Sequence, residues 1–557
     1  MGPRLNPTPD QQAVLDHQGD ALVQAPPGSG KTTVALLKAR SEIARLGPYQ
    51  KILFLTFSNA AVDTITSRRT QLVGGVARGK VQVTNFHQFA LEILRSYGAA
   101  VGLGSPIKIV DDVTGRFLER RSFGNPRKMG YLPFGEFIPL AVEVLGRNRS
   151  LQKAVASCYP VVLVDEFQDT DSHQWELVKL VADGATVIAL GDPDQMIYRF
   201  QGASPERFPE FLAWRRGAKQ FELDPQRNPH RFETPKILEV ARCLRRLHEG
   251  ATLPGWVNDR AQPVHLARYY NKGQCKAAVA SFILNSRQKA CKTIAILTYK
   301  NDTAKQISNW LNDGSLGGKL SGPFPHYFHI AERRLETLLV ICRACALTSE
   351  AAFAGNERLF GEALQWWAFL PTSLSSRASK AREQAENHLW NLGEQLLCGE
   401  QPSEQCCRVT WGILRETVAE ELRPTLAIEK VWATMQGFRP LRKYINEAVR
   451  ELEPHISRTL AKMVAAADAS PRKRLREVAE DIVTQIHTER SQGRPRSLTV
   501  MTIHQAKGRE YDAVAVVYPA YSRESKDPED RARIMYTAAS RARKRLLLLV
   551  QYPPKQQ

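Results

Sequence analysis

Short apolar runs recur along this chain, and each is followed by apolar residues spaced three and four apart. Residues 21–24 (ALVQ), 51–57 (KILFLTF), 81–84 (VQVT), 160–164 (PVVLV) and 186–190 (TVIAL) are such runs. A short run without polar alternation predicts a strand buried on both faces, and the helical spacing after it predicts the covering helix. Repeated in this order, the pattern predicts an open, mostly parallel α/β sheet. A second unit of the same kind is expected from Lys219, with FEL, a helix over about 234–248, PVHLARYY and TIAILTY (293–299). Residues 330–490 then show helical spacing almost throughout, with Ser470-Pro471 reading as an N-cap and first-turn proline. Strands resume at 498–503 and 513–518, followed by a helix at about 528–543 and the run RLLLLV. Residues 98–155 carry scattered Gly and Pro, a basic stretch (Arg116, Arg120, Arg121, Arg127, Lys128) and no clear strand, which predicts an insertion.

Composition narrows the class. At 557 residues the chain should hold three or four domains. A formal net charge of +20 points to a polyanionic partner, nucleic acid before membrane surface. The first residues are polar and lack a signal-peptide core, and no uninterrupted apolar run approaches a membrane span. Nine cysteines, an odd number in a long chain, argue against a disulfide framework and for a reducing cytoplasm. Cys342 and Cys345 form a CxxC, with Cys398, Cys406 and Cys407 further on. Because LETLLVICRACAL reads as a buried helix, packing is favoured over a metal site.

The chemistry lies where the apolar runs stop. After the run at 21–24 comes Ala25-Pro26-Pro27-Gly28-Ser29-Gly30-Lys31-Thr32-Thr33, opening a helix. A strand, a Gly-rich turn and a helix N-terminus in this order make a phosphate-binding P-loop. Lys31 would reach the β- and γ-phosphates, and the Thr32 hydroxyl would ligate Mg²⁺. The run VVLV leads into Asp165-Glu166-Phe167-Gln168-Asp169-Thr170. There Asp165 would hold the metal and Glu166 would take a proton from the attacking water. The run VIAL leads into Gly191-Asp192-Pro193-Asp194-Gln195, where Gln195 would sense the γ-phosphate or the attacking water and Phe200 would stack on a base, although each taken alone fits a turn residue and a core aromatic better. Phe57 with Asn59, and Phe86 with His87, also follow strand ends and offer aromatic and hydrogen-bonding groups to a single strand, although core burial fits Phe57 and Phe86 equally well. In the second unit, Thr502-Ile503-His504-Gln505-Ala506-Lys507-Gly508-Arg509-Glu510 follows a strand, and Tyr536-Thr537-Ala538-Ala539-Ser540-Arg541 lies on a predicted helix, where an isolated Arg is usually on a solvated face but in a two-domain ATPase can be a finger on the neighbouring domain's triphosphate.

Together these residues resemble the UvrD/PcrA/Rep family of superfamily 1 DNA helicases. Thr8-Pro9-Asp10-Gln11 resembles its Q motif, APPGSGKT motif I, TFSN and TNFHQFA motifs Ia and Ib, DEFQDT motif II and GDPDQMIYRFQGA motif III. Pro225-Gln226-Arg227-Asn228-Pro229 is a looser match to motif IV, TIHQAKGREYD resembles motif V and YTAASRAR motif VI. The resemblance implies an α/β fold with two RecA-like P-loop NTPase domains of parallel sheets, each carrying an inserted, mainly helical accessory domain. The implied boundaries are 1–90 and 156–218 for the first motor domain, interrupted by an insertion at 91–155, and 219–325 and 491–557 for the second, interrupted at 326–490. It implies ATP and Mg as cofactors. Gln11 would read adenine, Gly28, Ser29, Gly30, Lys31, Thr32 and Thr33 would hold phosphates, Thr32 and Asp165 the metal, and Glu510 the ribose. Glu166, Lys31, Gln195, Arg227 and Arg541 would act on the γ-phosphate, and Phe57, Asn59, Phe86, His87, Phe200 and His504 would line the nucleic-acid track. Gln226 and Thr33 stand where the family carries an adenine-stacking aromatic and a basic residue, and Phe200-Gln201 replaces a Trp-Arg pair. The implied activity is ATP-dependent 3′-to-5′ movement on single-stranded DNA with strand separation in the cytoplasm, on single strands and single/double-strand junctions, with a place for a nuclease or repair partner and none for a membrane. The alternatives are a translocase that strips proteins or serves a nuclease without unwinding, and a P-loop switch that does not act on DNA.

Overall fold

A computed structural model describes residues 7–74, 77–121, 125–198, 202–224, 235–312, 314, 325–328, 332–374, 379–402, 404–419, 421, 427–470, 473–482, 497–519 and 527–552. The chain forms two compact units. An α/β unit takes Met1–Ile109, Arg127–His329 and Arg494–Gln557, and a helical unit takes Val110–Pro126 and Ile330–Gly493.

The α/β unit holds two six-stranded sheets. The first contains β1 (Ala21–Gln24), β2 (Ile52–Thr56), β3 (Val81–Asn85), β6 (Val161–Val164), β7 (Thr186–Gly191) and β8 (Lys219–Glu222), in the order β3-β2-β6-β7-β1-β8. A two-stranded ribbon, β4 (Lys108–Val110) with β5 (Tyr131–Pro133), stands beside it in the chain. The second sheet contains β9 (Val264–Tyr269), β10 (Ile294–Thr298), β11 (Tyr327–Phe328), β12 (Leu498–Thr502), β13 (Tyr511–Pro519) and β14 (Ala542–Gln551), in the order β11-β12-β10-β13-β14-β9. Every neighbouring pair in both sheets is parallel.

The apolar runs explain why. Successive residues of a strand point to opposite faces, so a run without polar alternation needs cover on both. Leu53, Leu55, Val162, Val164, Val187 and Ala189 pack on one face of the first sheet, and Ile52, Phe54, Val161, Leu163, Ile188 and Leu190 on the other. The second sheet divides in the same way, with Ala295, Leu297, Val514 and Val516 against Ile294, Ile296, Ala513 and Ala515. A parallel sheet gathers the C-terminal ends of its strands along one edge, and in the first sheet that edge receives the strings that follow β1, β2, β3, β6 and β7.

Two boundaries differ from the sequence reading. FEL does not open the second motor unit: β8 pairs with β1 in the first sheet, Ala21 opposite Lys219, and Leu223 packs in the first sheet's core. The stretch 91–155 is not one insertion. The helices Phe137–Arg147 and Arg149–Ser157 pack into the core under the first sheet, whereas Val113 and Phe117, from the helix Asp112–Arg120, belong to the core of the helical unit. Two residues of its basic stretch are paired within the helical unit, Arg120 with Glu386 and Arg121 with Glu362.

The helical unit is built around the helix Glu332–Ala354. Its segment Leu335–Ala354 has the length and apolarity of a bilayer span, with a mean hydropathy of 1.5, but 83% of it is buried by the surrounding helices. Cys342 and Cys345 are buried in that core, where burial pushes the Cys342 thiol up to about 12, and among the described residues no cluster of metal-binding side chains occurs. Close helix contact is enforced by Gly361 and Gly393, where an added Cβ on either would lie 2.6 Å from the other's carbonyl oxygen.

Candidate functional site

The P-loop turns as its glycines require. Gly28 and Gly30 have φ of 86° and 84°, a region that other L residues avoid. Gly30 caps the helix Lys31–Glu42, whose first residue carries its side chain across β7 to the end of β6. Lys31 Nζ lies 2.8 Å from Glu166 Oε1 and 3.2 Å from Asp165 Oδ1. Burial alone would lower the Lys31 pKa, but the two carboxylates raise it, so the ammonium stays charged. Burial pushes Asp165 above the usual carboxylate range against the pull of Lys31. For Glu166, the ammonium groups of Lys31 and Lys507 outweigh burial and hold the carboxylate well below that range. Glu166 has φ 55°, ψ 39°, so its backbone is held in a left-handed conformation at the strand end.

Gln11 is buried against this loop. Its Nε2 donates to the Ser29 carbonyl at 2.8 Å and its Oε1 accepts the Thr8 N–H at 3.1 Å. Asp10 accepts the Asp224 N–H at 2.7 Å, which ties the first helix to the end of β8. Ser29 is 1% exposed and its hydroxyl oxygen has no hydrogen-bond partner among the described residues. An orphaned donor in a loop of positive-φ glycines, beside a charged lysine, fits an anionic ligand such as phosphate.

The second sheet contributes directly. Arg541, 3% exposed, donates from Nη2 to Gln195 Oε1 at 2.5 Å and from Nε to the Thr537 carbonyl at 3.1 Å. Gln195 Nε2 donates to Asp192 Oδ2 at 2.8 Å, and the Tyr536 hydroxyl donates to the same oxygen at 3.1 Å. Lys507 pairs with Asp169 at 2.5 Å and donates to the Gln195 carbonyl. Burial pushes the carboxyls of Asp169 and Asp192 up to about 6, only partly offset by Lys507 and Gln195 respectively.

The aromatic candidates separate. Phe57 stacks on Tyr198 with ring centroids 5.5 Å apart, and the Tyr198 hydroxyl donates to the His504 carbonyl at 2.7 Å. Burial, then Lys507, pushes the His504 imidazole down to about 4, so it is neutral at pH 7. His87 stacks on Phe134 with centroids 4.2 Å apart, and Phe134 is 46% exposed. Phe86, by contrast, is 2% exposed within the core under the first sheet, so it does not line a track. It opens an amphipathic helix, and its core side faces the sheet. Asn59 accepts a hydrogen bond from Asn85 at 2.5 Å, linking the ends of β2 and β3. Thr32 and Thr33 are partly buried in the first turn after the loop, and Glu510 is exposed just before β13. Phe200 and Arg227 lie outside the described residues. Sequence reasoning gave no role to Gln168, Asp169, Asp192, Lys507 or Phe134. The first four sit inside the strings DEFQDT, GDPDQ and HQAKGRE, and their place just after strand ends was the available signal.

The UvrD/REP helicase N-terminal domain model matches residues 6–124 and 120–213, and the UvrD-like helicase C-terminal domain model matches residues 497–549. The chain belongs to the UvrD-like helicase family. Among the relatives of this UvrD-like chain is the ATP-dependent DNA helicase PcrA of Bacillus subtilis (strain 168), 23% identical over 645 residues that cover 98% of this chain and 82% of that protein. The ATP-dependent DNA helicase Rep of Escherichia coli (strain K12) is 29% identical over 257 residues, 36% of this chain and 38% of its own length. The Gabija protein GajB of Bacillus cereus (strain VD045) is 26% identical over 213 residues, 36% of this chain and 42% of that protein. The chain thus spans about two fifths of several of the curated relatives it matches, 38% for Rep and 39% for DNA helicase II of Escherichia coli (strain K12).

Proposed function

We propose that the protein is a Mg²⁺-dependent ATPase stimulated by single-stranded DNA, which moves 3′ to 5′ along the strand and separates duplexes. One observation carries the reading: Lys31, Asp165 and Glu166 form a buried charge cluster at the strand ends of the first sheet, and Arg541 of the second sheet reaches that same edge by its hydrogen bond to Gln195. ATP would lie with its phosphates along Gly28–Thr33, its metal at Thr32 and Asp165, its base at Gln11 and its ribose at Glu510. Bound Mg–ATP supplies the cleavable anhydride and the charge that the carboxylates await. Glu166, kept ionised by Lys31 and Lys507, is the base for the attacking water. Arg541 already donates to Gln195, so both are placed to meet charge developing on a transferring phosphoryl group. Arg227 completes this set by resemblance.

The aromatic pairs Phe57–Tyr198 and His87–Phe134, at the same edge of the first sheet, suit stacked bases of a single strand. A neutral His504 would serve as a hydrogen-bonding group there rather than as a cation. The test is strand displacement on 3′-tailed, 5′-tailed and blunt duplexes with ATP and Mg²⁺. Opening of the 3′-tailed duplex alone is expected. Opening of the 5′-tailed duplex alone would overturn the direction, and ATP turnover indifferent to DNA would overturn the function.

A further inference from the structure

Gln168 lies two residues beyond the proposed base, is 1% exposed, and has no part in the reading above. Both ends of its amide are engaged. Nε2 donates to Glu166 Oε2 at 2.6 Å and, more distantly, to Asp169 Oδ2 at 3.4 Å, while Oε1 accepts the Asp192 N–H at 3.0 Å. The chemistry fixes which end points where. A backbone N–H only donates and a carboxylate only accepts, so the oxygen must face Asp192 and the nitrogen Glu166. The space is also fixed: a Cβ on Gly191 would come within 2.6 Å of Gln168 Oε1 and 2.9 Å of the Phe208 ring.

The far end of this strut is a loop that meets the second sheet's residues. Asp192 accepts from Gln195 and Tyr536, Gln195 accepts from Arg541, and Lys507 donates to the Gln195 carbonyl. Tyr198, at the end of the loop, stacks on Phe57 and donates to His504. The near end is Glu166, whose left-handed backbone is not its local preference and whose carboxylate is therefore held by its partners.

We infer that Gln168 is a positioning residue that passes the state of the 192–198 loop to Glu166, so that nucleic acid at Phe57, Tyr198 and His504 sets the placement of the catalytic carboxylate. The inference rests on the proposed function, because it presumes that DNA stimulates turnover. Two substitutions divide the amide's roles. Gln168→Met matches its length and makes neither hydrogen bond. Gln168→Glu keeps an acceptor for the Asp192 N–H and loses the donor to Glu166.

The experiment measures kcat and KM for ATP with saturating oligo(dT), together with oligo(dT) affinity by anisotropy, on the full chain. Both variants should keep DNA affinity and KM within about threefold while DNA-stimulated kcat falls about tenfold or more. Gly191→Ala, which crowds the amide without altering it, should reproduce the kcat loss with DNA affinity retained. Stimulated wild type with equally stimulated Gln168→Met or Gly191→Ala would overturn the inference and leave the function standing. Full stimulation in Gln168→Glu would reduce Gln168 to a brace for the loop and overturn its link to Glu166. A wild-type enzyme that ignores DNA would overturn both inference and function.

Discussion

Two buried charge clusters, one in each unit, show opposite electrostatics. In the helical unit, Arg343 is 5% exposed and pairs with Asp111 at 2.8 Å and Glu480 at 2.6 Å, and its guanidinium lies over the Trp366 ring. Burial is outweighed by Arg343 at Asp111, whose pKa is lowered, so the charged state is the stable one. This cluster joins three stretches that are far apart in sequence. At the strand ends of the α/β unit, by contrast, the carboxyls of Asp165, Asp169 and Asp192 are all raised, and the Ser29 hydroxyl is orphaned. Glu166 is held ionised by Lys31 and Lys507, but at the other three carboxyls burial exceeds what the protein's own groups offset, which fits a site for a charged ligand. A shifted pKa by itself does not mark function; its sign, and whether its partners complete it, separate a structural knot from a site.

The contrast breaks most visibly at Arg343. Arg343→Ala leaves Asp111 buried without its cation, and a loss of about 3–5 kcal/mol is expected in the helical unit. Hydrogen exchange should rise through Leu335–Ala354, with little change in the helix Lys31–Glu42. Equal loosening of both helices would contradict a knot private to one unit.

The pH response sharpens it next. Asp169 and Asp192, raised to about 6, contribute stability that is full below the ordinary carboxylate value near 3.8 and is lost as pH rises through about 6. His504, lowered to about 4, acts in the opposite sense: its contribution is full above the ordinary imidazole value of 6.5 and is lost as pH falls toward 4. The two act against each other in wild type between pH 7.5 and 5. His504→Gln should remove the opposing half, so acidification across that range should stabilise the variant by about 2 kcal/mol relative to wild type. Denaturant unfolding at the two pH values measures this, and parallel pH responses would contradict it.

Smaller effects test which aromatics face the strand. Phe134→Ala should weaken oligo(dT) binding by about 1 kcal/mol, the low end for a stacked base, because Phe134 is already stacked on His87. Phe86→Ala should instead lower stability, as a core truncation does. A DNA defect in Phe86→Ala at unchanged stability would reverse the assignment. The smallest effect is expected at Gln11. Gln11→Ala should reduce the preference for ATP over GTP by about 1 kcal/mol or less, read from DNA-stimulated turnover with each nucleotide. An unchanged preference would show that adenine is read elsewhere.

Much of this was legible in the sequence, because strand ends in a parallel sheet carry its chemistry and apolar runs mark strand ends. Lys31, Asp165, Glu166 and Gln195 were placed by that logic, and Arg541 by its predicted helix; the structure pairs Lys31 with both carboxylates and Arg541 with Gln195. Phe86 misled because an aromatic just past a strand also opens a helix, and only the packing tells which side it faces. FEL misled because a four-residue strand carries no mark of the sheet it joins, and β1 had a free edge. The helix Asp112–Arg120 was hidden for a related reason. Its apolar face, with Val113 and Phe117, is complemented by residues more than two hundred positions away, including Trp366 and Trp390. Gln168 was passed over because its meaning depends on the Asp192 N–H, which the sequence does not place beside it.

The central claim is that the strand ends of both sheets make one ATP site that answers to single-stranded DNA. It is tested most directly by steady-state ATP turnover of the full chain titrated with oligo(dT), in wild type and Glu166→Gln. The account predicts saturable stimulation of wild type, and a Glu166→Gln variant that still binds ATP but turns it over about a hundredfold more slowly or worse. Near-normal turnover in Glu166→Gln, or wild-type turnover that DNA leaves unchanged, would contradict it.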